Sequence, residues 1–377
     1  MNPKLLRLAF PHRIHRSGRS ARAEPGSAWP RAIARWGAAG ASLLLGAAAF
    51  AAPEFRPGEV WRDAAGQPIQ AHGGGILARG SVYYWYGEDR TPGGRGAVAC
   101  YSSTNLYDWK REGVALERDT LPSADGRRTF VERPKVVFNA RTGRYVMWMH
   151  LEQGGYHFAR AGIATSVAPA GPFTFRQAIR PITNDFDFAA ADRNRQKDFG
   201  GTVRDMNLFL DDDGRAYVFY ASEDNWTMYV VRLNAEFTGP EVPAVEHQSW
   251  ARILVRRMRE APAPFKYKNR YYLFTSGCTG WKPNEADCAV ADQILGPYRS
   301  LGNPCAGPDS NTTFGSQSTF VLPVAGRPGA FIFMADRWNP GNLPDSRYVW
   351  LPVVWHVDGS PSVPWRERWD PSVFGAP

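Results

Sequence analysis

Polar residues able to handle protons recur at one place in a repeating pattern. His72, the Glu132-Arg133 pair, the Arg204-Asp205 pair, Glu260 and Gln317 each stand just ahead of an apolar, strand-like run. Glu260 is the sharpest of them. It precedes two prolines, Pro262 and Pro264, in R-E-A-P-A-P-F-K-Y-K-N-R-Y-Y-L-F-T-S-G-C-T-G-W, Arg259 to Trp281. Proline fixes its own φ and supplies no donor, so Glu260 sits on a rigid lead-in, as an acid held at the mouth of a site would. A ring of carboxylates surrounded by aromatic residues suits cleavage of a glycosidic bond. One carboxyl group must stay protonated to donate to the leaving oxygen, while another group acts on a water across the sugar ring. A neighbouring carboxylate keeps the donor protonated by like-charge repulsion. Tryptophan and tyrosine offer apolar faces to a sugar and polar edges to its hydroxyls.

The elements that must position these residues repeat five times. Each copy reads as a short apolar strand, a turn, an aromatic-rich strand, a loop and a third strand. The copies begin at Gly75, Lys135, Met206, the Arg259 stretch and Ser318. Corresponding aromatics, Tyr84, Tyr145, Tyr217, Tyr272 and Phe331, recur at intervals of 55 to 72 residues. Turn signals fall between the strand-like runs at Thr142-Gly143, Asp213-Gly214 and Asn269-Arg270. Self-similarity at this spacing, with several strands per unit, predicts an all-β, five-bladed β-propeller in which the polar residues ahead of each first strand converge at one mouth. A sandwich has similar strand content but does not repeat one cassette in this way. The propeller is assigned to residues 53–377, with everything after Trp355 read as a short tail.

The formal charge of +9 is uneven. Residues 1–51 hold eight Lys or Arg against the single Glu24, so +7 of it lies there. The remainder gives no reason to expect nucleic acid or an acidic membrane as partner. Basic residues precede the small-residue apolar run from Gly37 to Ala52, which contains Ala49-Phe50-Ala51, the pattern of a secretory signal peptide with a long basic n-region. A secreted or periplasmic protein, with no membrane attachment after cleavage near Ala51, is the expectation. Export turns Cys100, Cys278, Cys288 and Cys305 into a disulfide question, with Cys278–Cys305 preferred because both flank one hairpin unit. No C-x-x-C pair is present, and Asp211-Asp212-Asp213-Gly214 lacks the distal Glu of an EF-hand and reads as a hairpin turn. No metal and no cofactor is expected. Trp148, Trp350 and Trp355 read as core, and Trp226, Trp281 and Trp338 as candidate sugar platforms in loops.

The cassette order, R-D-M-N-L-F-L-D-D-D-G-R-A-Y and E-A-P-A-P-F-K-Y resemble glycoside hydrolase family 43. H-G-G-G-I, Y-Y-W-Y-G-E, V-E-R-P-K-V-V-F-N, S-E-D-N, S-G-C-T-G-W and R-Y-V-W-L-P resemble its galactan 1,3-β-galactosidase branch, and together the motifs span nearly all of 53–370. The resemblance implies a general acid at Glu260, a pKa-tuning and sugar-orienting carboxylate at Asp205, and Glu132 with Gln317 on the water side. It also places Glu88, Arg133, Tyr156, Asn225 and Thr279 around the terminal galactose. Most of the family carries an Asp base at the start of blade one, where this chain reads Q-A-H-G-G-G-I without an acid. A neutral amide is a poor base by ordinary pKa logic, so Glu132, as base or as the group polarising Gln317, is the simpler reading. The expectation is a secreted, monomeric, inverting exo-enzyme that removes galactose from a β-1,3-galactan polysaccharide or oligosaccharide. The alternatives are an arabinofuranosidase or xylosidase on the same scaffold, or a carbohydrate-binding propeller without turnover.

Overall fold

The computed structural model of the protein describes residues 53–123, 128–183 and 201–375. The leader read at 1–51 lies outside them. Five sheets follow one another along the chain, each built from consecutive strands. Blade one comprises His72–Arg79, Val82–Glu88, Gly96–Ser103 and Lys110–Glu117. Blade two comprises Phe130–Asn139, Arg144–Glu152, Arg160–Ser166 and Thr174–Ile179. Blade three runs through Met206–Leu210, Ala216–Ser222, Thr227–Arg232 and Trp250–Ile253. Blade four is Arg259–Tyr267, Arg270–Gly277, Asp287–Ala291 and Arg299–Gly302. Blade five is Gln317–Pro323, Phe331–Arg337, Arg347–Trp355 and Pro361–Pro364, with Cys305–Ala306 laid parallel to its last strand. The first long strand of each blade packs beside those of the two neighbouring blades, and that of blade five closes on that of blade one. This is a five-bladed β-propeller.

Two details differ from the sequence reading. Each blade has a fourth, outer strand; in blades one, two and four few or none of its residues are buried, so it lacks the apolar signature of the inner three. The residues after Trp355 are also more than a tail. They supply blade five's outer strand, and Trp369 pairs with Phe55 through two backbone hydrogen bonds of 2.7 and 3.1 Å. Around that closure Phe55, Trp61, Trp85, Trp109, Trp350 and Trp369 pack together, with Trp85 and Trp350 ring centres 4.8 Å apart. Fully burying side chains of this size is worth on the order of 2–3 kcal/mol each. Trp148 and Trp350 are core as expected, and Trp355 is half-buried on Tyr267.

The inner strands share the device that presents the site. In blades one, two, four and five the ladder register shifts just after the polar residue, between His72 and Gly75, Glu132 and Lys135, Glu260 and Ala263, and Ser318 and Phe320. Such a bulge re-aims the side chain before it and twists the strand. Gly73, Arg133 and Ala261 carry it at φ of 59°, 56° and 54°. At Gly73 glycine is required twice over, since a Cβ there would stand 2.5 Å from Glu88 Oε1. Arg133 and Ala261 accept the same conformation with a Cβ, at a cost of about 1–3 kcal/mol each.

Candidate active site

The bulges open onto one cavity of about 350 Å³, lined by residues of all five blades. Nine of the eleven polar residues singled out above meet there: Glu88, Glu132, Arg133, Tyr156, Arg204, Asp205, Asn225, Glu260 and Gln317. His72 does not, being fully buried and stacked on the Tyr348 ring. Thr279 does not line the cavity either. Its hydroxyl donates to Lys282 O at 2.5 Å and accepts from Asn284 Nδ2 at 2.7 Å, closing its own loop. Of the three loop tryptophans, Trp281 and Trp338 form the rim, edge to face at 5.7 Å, while Trp226 is not part of the lining.

Glu260 of blade four is half-buried. Burial, then the negative charge of Asp205, raises its carboxyl to about 8, against the opposing pull of Arg133. It accepts from Gln317 Nε2 at 2.9 Å and Asn225 Nδ2 at 3.2 Å. Asp205 of blade three is fixed by Arg133 at 2.9 Å and by the amide of Ala261 at 3.1 Å, so the residue after the acid also grips its neighbour. Arg133 is almost wholly buried; its backbone amide donates to Glu88 Oε1 at 3.2 Å and its guanidinium to Ser318 O at 2.8 Å. Glu88 in turn pairs with Arg90.

Gln317 of blade five is held at both ends of its amide. Its oxygen accepts from Arg133 and, at 3.2 Å, from Trp338 Nε1, while its nitrogen donates to Glu260 and to Ser276 Oγ at 2.9 Å. Two donors on one side and two acceptors on the other set the orientation of the amide. Gln317 is therefore tied to the acid, and Arg133, not Glu132, polarises it.

Glu132 of blade two lines the same cavity. It accepts from Tyr156 Oη at 2.6 Å and pairs with His150 Nδ1 at 3.0 Å. Burial would raise its carboxyl, but the hydrogen bond and charge of His150, then Tyr156 and Arg133, bring it down to about 2. With Glu260 protonated, Glu88, Glu132 and Asp205 face Arg90, Arg133, Arg204 and His150, so the cavity carries a net charge of only +1 once His150 is charged. Glu132, His150 and Asp205 each bring one polar atom within 4.8 Å of the others. His150 stands between Glu132 and Glu152, and Arg133 pairs with Asp205 at 2.9 Å, so the three belong to an ion-pair network.

Arg90, His150 and Cys278 line the cavity without having been assigned to it from the sequence. All four cysteines are free, and the expected Cys278–Cys305 bond does not form. Cys278 faces the cavity, whereas Cys305 is buried in the short strand beside Val363.

Glycosyl hydrolases family 43 matches residues 74–361. No curated protein is found to match the chain. Among solved structures it is similar to a family 43 beta-1,3-galactosidase with galactodeoxynojirimycin, at 40% identity over 84% of this chain and 100% of that one, TM-score 0.74. It is also similar to the exo-beta-1,3-galactanase of Clostridium thermocellum, at 35% identity over 84% of this chain and 66% of that one, TM-score 0.72. The exo-beta-1,3-galactanase of Phanerochaete chrysosporium with galactose shares 33% identity over 84% of this chain and 68% of that one, TM-score 0.70.

Proposed function

The chain belongs to glycosyl hydrolases family 43, and from that premise we propose that it is a secreted, inverting exo-β-1,3-galactanase that releases galactose from the end of β-1,3-galactan. The observation that carries the reading is the opposite treatment of two glutamates in one cavity. Glu260 is held protonated, raised to about 8, and Glu132 ionised, lowered to about 2. Two carboxyl groups pushed apart in this way are the acid and base of a glycosidase.

In the proposed step Glu260 gives its proton to the glycosidic oxygen as the bond from C1 to that oxygen breaks. A water held by Glu132 attacks C1 from the other face, and its proton ends on Glu132. A carboxylate held this low is a weak base for ordinary water. The attacking water, however, becomes a strong acid as its bond to C1 forms, so a weak base suffices when transfer is late. Asp205 keeps Glu260 protonated, and Gln317 and Asn225 aim it. The near-neutral cavity with tryptophans at its rim favours an uncharged sugar end. Support for galactan comes from the β-1,3-galactosidase and exo-β-1,3-galactanases to which the chain is similar, and from the absence of an acid in Q-A-H-G-G-G-I at the start of blade one, where the resemblance gives xylosidases and arabinofuranosidases an Asp.

Proton NMR of the anomeric signal during digestion of β-1,3-galactan tests this. Early α-galactose is the expected result. Early β-galactose would remove inversion, and release from xylan or arabinan alone would remove the substrate assignment.

A further inference from the structure

His150 takes no part in the steps above, yet it is wholly buried at the cavity wall, a costly place for an imidazole. Its ring lies between two carboxylates, with Nδ1 3.0 Å from Glu132 Oε2 and Nε2 3.4 Å from Glu152 Oε2. Glu152 is itself fully buried and independently satisfied. It accepts the backbone amides of Gln153 and Phe158 at 2.9 Å and of Ala159 at 3.3 Å, and it stands 3.5 Å from Arg204 Nη1. Those three amides belong to the loop that carries Tyr156, whose hydroxyl is Glu132's other donor at 2.6 Å. One buried glutamate thus stands behind both groups that hold Glu132.

We infer that His150 is a positioning residue for the water-side carboxylate: clamped between Glu132 and Glu152 as an imidazolium, it keeps Glu132 ionised and aimed, and so extends hydrolysis into acid conditions. The inference rests on the reading of Glu132 as the group that receives the water's proton. The charged and titratable groups facing His150 are Glu132 from the inner strand, Glu152 from its own strand, Tyr156 from the loop, and Arg204 with Asp205 from the lead-in of blade three. Burial alone would lower His150, but the carboxylates of Glu132 and Glu152 beside its two ring nitrogens raise it to about 9, so the clamp carries its proton from acid to neutral pH. Without it, only Tyr156 and Arg133 would oppose burial, and the Glu132 carboxyl would rise.

The test is the pH dependence of kcat/KM on β-1,3-galactobiose, joined to ¹⁵N NMR of histidine-labelled, substrate-free protein. In the wild type the imidazole of His150, identified by its loss in His150→Gln, should show both nitrogens protonated through pH 7. His150→Gln should move the acid limb upward by about two pH units and leave the alkaline limb in place. Glu152→Gln, which keeps acceptors for the loop amides, should move it less in the same direction. A uniform loss of rate with the acid limb unmoved would reduce His150 to a structural role and overturn the inference. A neutral His150 at pH 6–7 would overturn it whatever the pH profiles of the two variants. If the wild type releases no sugar from β-1,3-galactan the functional reading fails, while the imidazole shifts still decide the clamp.

Discussion

Glu132 and Glu260 stand at the same place in two copies of one repeat. Each precedes a left-handed residue and a bulge in the first strand of its blade, and each faces the same cavity. Their surroundings are reversed. Glu260 meets the carboxylate of Asp205 and two neutral amides, whereas Glu132 meets a buried imidazole and a phenol. One is held near 8 and the other near 2. The repeat sets where a carboxyl group stands, and the neighbouring blades set what it can do.

The harshest way to break the contrast is Glu260→Gln. Loss of the proton donor should cut hydrolysis of galactan by about 10²–10⁴-fold with sugar binding retained, as measured by initial rates and calorimetry. An aryl galactoside with a good leaving group should suffer much less, since its departure needs no proton.

Asp205→Asn removes the charge that helps keep Glu260 protonated. Because Glu260 acts only in its protonated form, wild-type activity should fall as pH rises through about 8. In the variant this alkaline limb should move to lower pH, with a rate loss on the order of 10–100-fold near neutrality. An unmoved limb would remove Asp205 from that role.

Stability should separate the two glutamates in opposite directions. Glu260 is raised from 4.5 to about 8 on folding, so its contribution is full below pH 4.5 and is lost as pH rises through 8. Glu260→Gln should therefore stabilise the fold near pH 8, by about 1–2 kcal/mol. Glu132 is lowered to about 2, so its contribution is full above pH 4.5 and is lost as pH falls through 2. Glu132→Gln strands the charge of His150 and should destabilise at pH 7 by about 2–4 kcal/mol. Thermal unfolding of both variants at pH 5 and pH 8 checks the signs.

Two smaller changes sharpen the boundary of the site. Tyr156→Phe deletes one donor to Glu132 while leaving His150, and should lower kcat about 3–10-fold. Thr279→Ala should change kcat/KM by less than about twofold, since that hydroxyl serves its own loop. A larger loss would put it back against the sugar.

Much of this was legible without coordinates. The recurring aromatics and turn dipeptides specify the cassette, and five cassettes specify the ring, because a blade cannot bury both of its faces alone. Glu132, Asp205, Glu260 and Gln317 follow as a convergent set from their common place ahead of each inner strand. His150 does not follow. In M-W-M-H-L-E it reads as one more residue of an alternating strand, and hairpin counting from Asn139 opposite Arg144 would place Leu151 across from Glu132. The bulge at Arg133 slips that register by one and brings His150 there instead. A slip of one residue exchanges the faces of a strand.

By itself, then, the amino-acid order determined the propeller, the mouth and which carboxyl groups gather there, since those depend on patterns repeated locally along the chain. Which glutamate holds a proton, what Gln317 is tied to, and where Thr279 points were decided only by tertiary structure. Protonation follows from burial and from charges a few ångströms away, and here those charges come from other blades and from one-residue bulges that no periodicity records.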